Sequence, residues 1–304
     1  MKQGHPGLPA PRRPRVAVVI GSGGLKCAAA LGMLRVLQRE GIAIDMAVGC
    51  SGGSFFATAI ALGADDADEM AQRFVQGWSG TLGRVGWRPM LSALFPRVFG
   101  FGHRFSLLDD RKVNDAVRGF VRELRFEDTR IPLHLAATDF SSGEKVVLSH
   151  GSLADAIRAS IAIPLVLSPW PVRGRLLFDG GASNPVPVDI AAREGCDIVI
   201  AMGFEDSIDG EADSAMQLAR RMMAISVNHF IRSQYAFYSL THHAEVIPVL
   251  PAFDRRIGLR DLGELPYIVQ MGEQAMAQEM PYLRRVLEAG MRGQFILQAT
   301  ERAA

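Results

Sequence analysis

The sequence predicts an α/β fold in which helices cover both faces of a mainly parallel sheet. Residues 15–20 are a short apolar run rich in β-branched side chains, a glycine-rich loop follows at 21–24, and residues 25–40 have the apolar spacing of a helix. A second apolar run at 44–48 leads into another tight turn and another apolar helix. Continuous apolar strands that alternate with helices are typical of a parallel sheet buried on both faces.

The later part of the chain continues this pattern. A turn at 141–144 separates two of the further strands and indicates a hairpin. The predicted strands are 133–140, 145–149, 176–178, 197–202 and 245–249, and the predicted helices are 65–78, 107–124, 152–160, 212–241 and 267–287.

No repeat or linker divides the chain, so we expect a core at 15–205 with a mostly helical portion at 206–304 packed on it. Residues 77–105 interleave aromatic side chains with glycines and arginines. They are either a loop-rich cap on the core, or a mobile lid or lipid-touching surface.

The composition is that of a globular protein with reduced cysteines. Among 304 residues, 33 Lys and Arg stand against 32 Asp and Glu, and 48% are hydrophobic. This balance argues against nucleic-acid binding, which needs a basic excess, and excludes a charge-driven disordered chain. Three widely spaced cysteines without a CxxC pair predict neither disulfides nor a zinc site. We therefore expect a cytoplasmic protein.

Two segments bear on membrane contact. Residues 1–14 are basic and rich in proline, which predicts a flexible arm; no signal peptide is expected, and contact of Arg12, Arg13 and Arg15 with anionic lipid is an open alternative. Residues 46–64 carry no charge and are about as long as a membrane-spanning helix. Because glycines interrupt this stretch, a buried strand, turn and helix is the better interpretation. The expected location is cytoplasmic, with peripheral contact at the inner membrane surface left open.

The strongest candidate for a nucleophile is Ser51. Residues 49–53 read Gly-Cys-Ser-Gly-Gly, a G-x-S-x-G between a predicted strand and a predicted helix. The turn requires small neighbours such as Gly49 and Gly53, and it exposes the serine hydroxyl at a helix N-terminus, where negative charge is favoured. Cys50 is a weaker candidate, because no cation or histidine is placed near it.

The glycine-rich loop at 21–26 has two interpretations. Lys26 replaces the third glycine of a dinucleotide fingerprint, and Asp45 begins the second strand instead of ending it, so nucleotide binding is a weak alternative. In an acyl-transfer enzyme, the backbone amides of Gly23, Gly24 and Leu25 can instead stabilise an oxyanion. Lys26 then either adds positive charge or braces the loop.

A serine nucleophile needs a base, and two kinds are available. Asp179 follows a short apolar strand and precedes Gly180 in a tight turn. Acting alone, it would need either a pKa raised by burial or direct contact with the hydroxyl of Ser51. The alternative is a triad with a histidine downstream, either His229 or one of the pair at 242–243. Too few strands precede the serine for the α/β-hydrolase order.

Together these motifs resemble the patatin-like phospholipase family. Its pattern is a glycine-rich oxyanion loop ending in Arg/Lys-Gly, then G-x-S-x-G, then Asp-Gly-Gly/Ala. The matching positions are the loop at 21–27, Ser51 and Asp179, and residues 159–169 and 184–187 are similar to the segments before and after the aspartate. Cys27 departs from the pattern, since it stands where the family closes the loop with glycine. The resemblance covers about residues 15–205.

The resemblance implies a three-layer α/β/α sandwich of patatin-like type and a serine lipid acyl hydrolase with a Ser-Asp dyad. Ser51 would be the nucleophile, Asp179 the general base and acid, and Gly23, Gly24 and Leu25 the oxyanion hole. Neither a metal nor an organic cofactor is implied, and the partner is a lipid or fatty-acyl ester substrate. An acyltransferase, a thioesterase and a weakly active lipid-binding protein remain alternatives.

Overall fold

The computed structural model describes residues 12–63, 67–78, 105–205, 214–240 and 244–291. Within these ranges, one sheet and the helices on its two faces make up the regular structure. The strands are β1 (Val16–Ile20), β2 (Met46–Cys50), β3 (Leu133–Asp139), β4 (Lys145–Leu148), β5 (Trp170–Val172), β6 (Arg175–Asp179), β7 (Ile198–Met202) and β8 (Glu245–Val249). The helices are α1 (Ala29–Arg39), α2 (Gly53–Ala61), α3 (Ala67–Trp78), α4 (Asp110–Val121), α5 (Leu153–Ser160), α6 (Val188–Arg193), α7 (Ala215–Leu240) and α8 (Leu265–Met291).

The sheet is mainly parallel, as predicted. Its order is β5-β6-β3-β2-β1-β7-β8, and β4 pairs with β3 outside this path. The five strands from β3 to β8 in that order run parallel, whereas β4 and β6 are antiparallel to β3 and β5 is antiparallel to β6. Because β3 lies between β2 and β6, it separates the strand that precedes Ser51 from the strand that ends at Asp179.

Two apolar cores on opposite faces of the sheet confirm the three-layer architecture. One contains side chains from α1, α2, α3, α4, α5 and α8, and the other contains side chains from α6 and α7. Helix α8 approaches α1 so closely that a Cβ at Gly272 would stand 1.9 Å from the carbonyl oxygen of Ala29. The C-terminal helix therefore packs directly on the first one. Among the described residues, no helix combines the length and apolarity that crossing a bilayer requires.

Several predicted boundaries were wrong. The helix predicted at 25–40 begins as a 3-10 turn, Gly24–Ala28, before α1 starts at Ala29. Strand β5 and helix α6 were not predicted, because β5 has three residues and contains a proline and α6 has six residues. Most of the predicted flexible arm, most of the aromatic segment at 77–105 and the histidines at 242–243 lie outside the described residues.

Candidate active site

Ser51 lies on the sharp turn between β2 and α2, in the left-handed region with φ +54°. Three glycines make room for this turn. A Cβ at Gly52 would lie 2.3 Å from the carbonyl oxygen of Gly24, and one at Gly53 would lie 2.2 Å from that of Ile20. At Gly49 a Cβ would meet the Cα of Ser54 at 2.7 Å. The G-x-S-x-G spacing thus fits a strained turn packed tightly against the neighbouring loop.

The Ser51 hydroxyl contacts Asp179 directly. Oγ of Ser51 donates a hydrogen bond to Oδ2 of Asp179 across 2.6 Å, and both side chains are buried. The backbone amide of Gly181 donates to Oδ1 of the same carboxylate at 2.7 Å. Burial raises the pKa of Asp179 to about 6, although the hydrogen bonds from Ser51 and Gly181 lower it. The carboxylate is therefore a stronger base than an exposed aspartate.

A tight turn carries Asp179 to this position. Asp179 is the last residue of β6, and a Cβ at the next residue, Gly180, would stand 2.4 Å from the carbonyl oxygen of Ala136. It would also stand 2.9 Å from Sγ of Cys50. Only glycine allows the chain to pass between β3 and the turn of Ser51 in this way.

The glycine-rich loop lies against the Ser51 turn. The backbone amides of Gly23, Gly24 and Leu25 donate to no acceptor within the described part of the chain, because they precede the first hydrogen bond of the 3-10 turn. Gly24 has φ +57°, and Gly24 and Leu25 line the same cleft as Ser51. The loop thus brings unpaired amides to the cleft.

The structure places Lys26 as a brace and Cys27 in the core. Nζ of Lys26 donates to the carbonyl oxygen of Glu205 at 3.1 Å, which ties the loop to the segment after β7. Sγ of the buried Cys27 contacts the carbonyl oxygen of Gly21 at 3.2 Å. Burial raises the pKa of this thiol, so Cys27 stays neutral and fills space that a glycine would leave empty.

An apolar cleft opens beside Ser51 and encloses roughly 570 Å³ including its mouth. Ser51 is its one hydroxyl-bearing lining residue among those described. The remaining lining consists of backbone at the glycines and of apolar side chains: Gly24, Leu25, Gly52, Phe55, Phe74, Trp78, Leu108, Ile161, Ile163, Val166, Leu167, Leu259 and Leu262. Such a surface can hold a hydrocarbon chain.

Three other candidates in the described part of the chain do not join this site. His229 is exposed on α7, which packs on the face of the sheet opposite α2. Burial raises the pKa of Cys50 well above its ordinary value, which favours the protonated thiol over the nucleophilic thiolate. Asp45 accepts a hydrogen bond from the backbone amide of Val16 at 2.8 Å and pairs with Arg13. Both contacts hold the Asp45 carboxylate at the amino end of β1. This position does not support the interpretation of Asp45 as a ribose-binding residue of a nucleotide site.

Two arginines offered above for lipid contact, Arg12 and Arg15, also pair with the protein itself. Arg12 donates to both carboxylate oxygens of Asp197, at 2.8 and 2.9 Å. Arg15 donates to the carbonyl oxygen of Glu194 at 2.8 Å. These contacts lie at the amino end of the sheet, away from the cleft at its carboxyl end.

Sequence reasoning missed three residues that hold the dyad. The hydroxyl of Ser160 accepts from the backbone amide of Ser51, and the carbonyl of Ala162 accepts from that of Asp179. Oγ1 of Thr138 donates to the carbonyl oxygen of Asp179 at 2.9 Å. Ser160 stands at the end of a predicted helix, which is no signal for this role, and its partner is 109 residues away in the sequence.

Comparison with solved structures agrees with this architecture. Human GIVD cytosolic phospholipase A2 superposes on 92% of this chain and 63% of its own with a TM-score of 0.54, at 9% identity. A likeness at this identity shows the fold alone.

Comparison with protein sequences identifies relatives. An uncharacterized NTE family protein of Mycobacterium tuberculosis is 35% identical over 228 residues, and the match spans 75% of this chain and 59% of that protein. Human patatin-like phospholipase domain-containing protein 6 is 30% identical over 200 residues, which are 64% of this chain and 14% of that protein. The patatin-like phospholipase family profile matches residues 18–192, more than half of the chain. The chain therefore belongs to the patatin-like phospholipase family.

Proposed function

We propose that this protein is a serine hydrolase of fatty-acyl esters, a carboxylic ester hydrolase of the phospholipase A or lysophospholipase type. The observation that carries the proposal is the 2.6 Å hydrogen bond from Ser51 to the buried carboxylate of Asp179 at the wall of an apolar cleft. A nucleophile in contact with its base is the arrangement that acyl transfer requires.

The first half-reaction forms an acyl-enzyme. Oγ of Ser51 attacks the carbonyl carbon of the ester while its proton passes to Oδ2 of Asp179. The negative charge that develops on the carbonyl oxygen is stabilised by the amides of Gly23, Gly24 and Leu25. Collapse of the tetrahedral intermediate breaks the ester bond, and the leaving alcohol takes the proton from Asp179.

The second half-reaction releases the acid. Water attacks the acyl carbon of the ester on Ser51, its proton passes to Asp179, and the same amides stabilise the second oxyanion. Collapse then returns the proton from Asp179 to Ser51 and frees the fatty acid. Each step uses groups of this chain and water, so the mechanism needs neither a metal nor an organic cofactor.

Four supporting residues hold the nucleophile, the base and the oxyanion loop in position. Lys26 braces the oxyanion loop through the carbonyl oxygen of Glu205. Gly49 and Gly53 let the chain turn tightly at the nucleophile, and Gly180 lets it turn tightly after the base. None of the four has a part in bond making.

The apolar cleft supports a fatty-acyl substrate. Burying each methylene of an acyl chain in such a cleft contributes about 0.8 kcal/mol. Human GIVD cytosolic phospholipase A2, which shares the fold, has been solved with methyl γ-linolenyl fluorophosphonate. This chain spans about 59% of the length of its mycobacterial relatives, so the proposal concerns the region that they share. We place the protein in the cytoplasm, with peripheral access to lipid at the inner membrane surface.

Lipid products distinguish hydrolysis from the other reactions of an acyl-enzyme. We would incubate wild type and Ser51→Ala with mixed lipids, with and without an added alcohol, and identify the products by mass spectrometry. Free fatty acid that requires Ser51 supports the proposal. An acylated alcohol in place of fatty acid would indicate an acyltransferase, and cleavage of acyl thioesters alone would indicate a thioesterase. Lipid that copurifies without turnover would indicate a lipid-binding protein.

A further inference from the structure

The backbone amides of both dyad residues are held by one short segment. Oγ of Ser160, the last residue of α5, accepts a hydrogen bond from the backbone amide of Ser51 at 2.9 Å. The carbonyl oxygen of Ala162, two residues later, accepts one from the backbone amide of Asp179 at 3.0 Å. The spacing between nucleophile and base therefore depends on where α5 ends.

The Ser160 hydroxyl is anchored on its other side to the sheet. Its Oγ donates to the carbonyl oxygen of Ala136 on β3 at 2.7 Å, and the side chain is completely buried. Ala136 pairs with Cys50 in the register of β2 and β3, and the next residue, Ala137, pairs with Asp179 on β6. The hydroxyl thus links the nucleophile to the strand that lies beside the base.

Ser51 needs such an anchor. Its φ of +54° is unfavourable for a residue with a side chain, and such a conformation persists only where the surroundings hold it. Its buried amide belongs to neither the β2 ladder nor the hydrogen bonds of α2, so the Ser160 oxygen satisfies it. A serine at this position without an acceptor leaves a buried amide unpaired and frees the turn to relax.

The end of α5 is itself fixed by a buried charge. Arg158 is almost fully buried two residues before Ser160, and its Nε donates to Oδ1 of Asn114 at 2.7 Å. Its Nη2 pairs with the carboxylate of Asp110 and donates to the carbonyl oxygen of Ser168 at 3.2 Å. These contacts join the last turn of α5 to α4 and to the segment after α5.

We propose that Ser160 is a positioning residue for the hydrolysis described above: through its hydroxyl it holds Ser51 in the strained conformation that aims Oγ at Asp179. The proposal rests on the proposed function, since it concerns the same dyad. Ser160 touches neither substrate nor the reacting atoms, so its removal acts on the rate of attack and leaves the cleft that binds the acyl chain unchanged.

The test compares two serines of the same helix. Ser160→Ala removes the support of Ser51, whereas Ser152→Ala removes the N-cap of α5, where Oγ of Ser152 accepts from the amide of Asp155 at 3.2 Å. Both changes destabilise α5 from one end, and only the first touches the dyad. Ser160→Cys, whose sulfur is a weaker acceptor, serves as a milder variant if Ser160→Ala does not fold.

We would measure fluorophosphonate labelling rates of Ser51 and the kcat and KM for a soluble acyl ester. The proposal predicts that Ser160→Ala lowers the labelling rate and kcat about 10- to 100-fold with KM within about twofold, since small misplacements of a reacting group cost this much. Ser160→Cys falls between wild type and alanine, and Ser152→Ala keeps the wild-type rates.

Two results would overturn the assignment: a folded Ser160 variant with wild-type rates, or an equal loss in Ser152→Ala and Ser160→Ala. Absence of labelling in the wild-type protein is a different outcome, because it contradicts the proposed function itself. Normal labelling of wild type together with normal labelling of both Ser160 variants refutes the positioning role alone.

Discussion

The hydroxyl of Ser51 donates to Oδ2 of Asp179 across 2.6 Å, and no histidine lies between them. On this contact we propose that the aspartate is the base. Asp179→Asn keeps the shape of the side chain but cannot accept the proton, so we expect ester turnover to fall by at least about 10³-fold. His229→Ala and His242→Ala should keep turnover within about twofold of wild type, which a steady-state ester assay checks.

One result would contradict the role of Asp179 as the base. Loss of turnover in a folded histidine variant, with activity retained in Asp179→Asn, would favour a triad over the Ser-Asp dyad. Circular dichroism of each variant is the control for folding.

Activity should depend on the ionisation of Asp179. Burial raises its pKa to about 6, and only the ionised carboxylate can take the proton from Ser51. We expect kcat/KM for a soluble ester to be constant above about pH 7 and to fall about tenfold per pH unit below about pH 6. A profile whose acid limb lies near pH 4 would show that burial does not raise the pKa of Asp179 as described.

The raised pKa of Asp179 also means that its ionised form destabilises the folded protein. A carboxyl whose pKa is raised from 3.8 to about 6 binds its proton more tightly in the folded state, so stability is lost as the pH rises from about 4 through 6. We expect Asp179→Asn to raise the free energy of unfolding by about 2 to 3 kcal/mol at pH 8 and by little at pH 4. Urea titrations at the two pH values measure this difference. An equal change in the free energy of unfolding at both pH values would show that the raised pKa of Asp179 is not the cause.

The oxyanion loop should tolerate no side chain at Gly23. A Cβ there would stand 2.5 Å from the ring of Phe204, so Gly23→Ala must displace the loop and its amides. Loss of oxyanion donors lowers kcat by about 10²- to 10³-fold. Gly119→Ala is the matched control, because a Cβ at Gly119 on α4 meets nothing within 4 Å.

A second substitution tests whether this contact is the cause. Phe204→Leu removes the ring, so the double variant Gly23→Ala with Phe204→Leu should recover part of kcat. No recovery in a folded double variant would mean that the added methyl group acts in another way.

Much of the fold could be predicted because its signals are local. Strands β1 and β7 are continuous apolar runs, and the predicted strand at 245–249 has the observed bounds of β8. Strand β5 escaped because its three residues include a proline and are only partly buried. Their pairing with β6 is a tertiary contact that no local pattern shows.

The candidate site divides in the same way. Ser51 and Asp179 are conspicuous because glycines surround them, and the glycines are required by close contacts that leave a mark in the sequence. Ser160 carries no such mark, since a serine near a helix end is ordinary. Its importance arises from a hydrogen bond to a residue on another element, which only the folded chain reveals.

The central claim is that Ser51 is a nucleophile activated by its environment. The direct measurement is the mass of the protein, and of its peptides, after reaction with an alkyl fluorophosphonate. In this reaction Oγ of Ser51 would displace fluoride from phosphorus. The account predicts one adduct per chain, on the peptide that contains Ser51, and none in Ser51→Ala. An unmodified wild-type protein, or an undiminished adduct in folded Ser51→Ala, would contradict it.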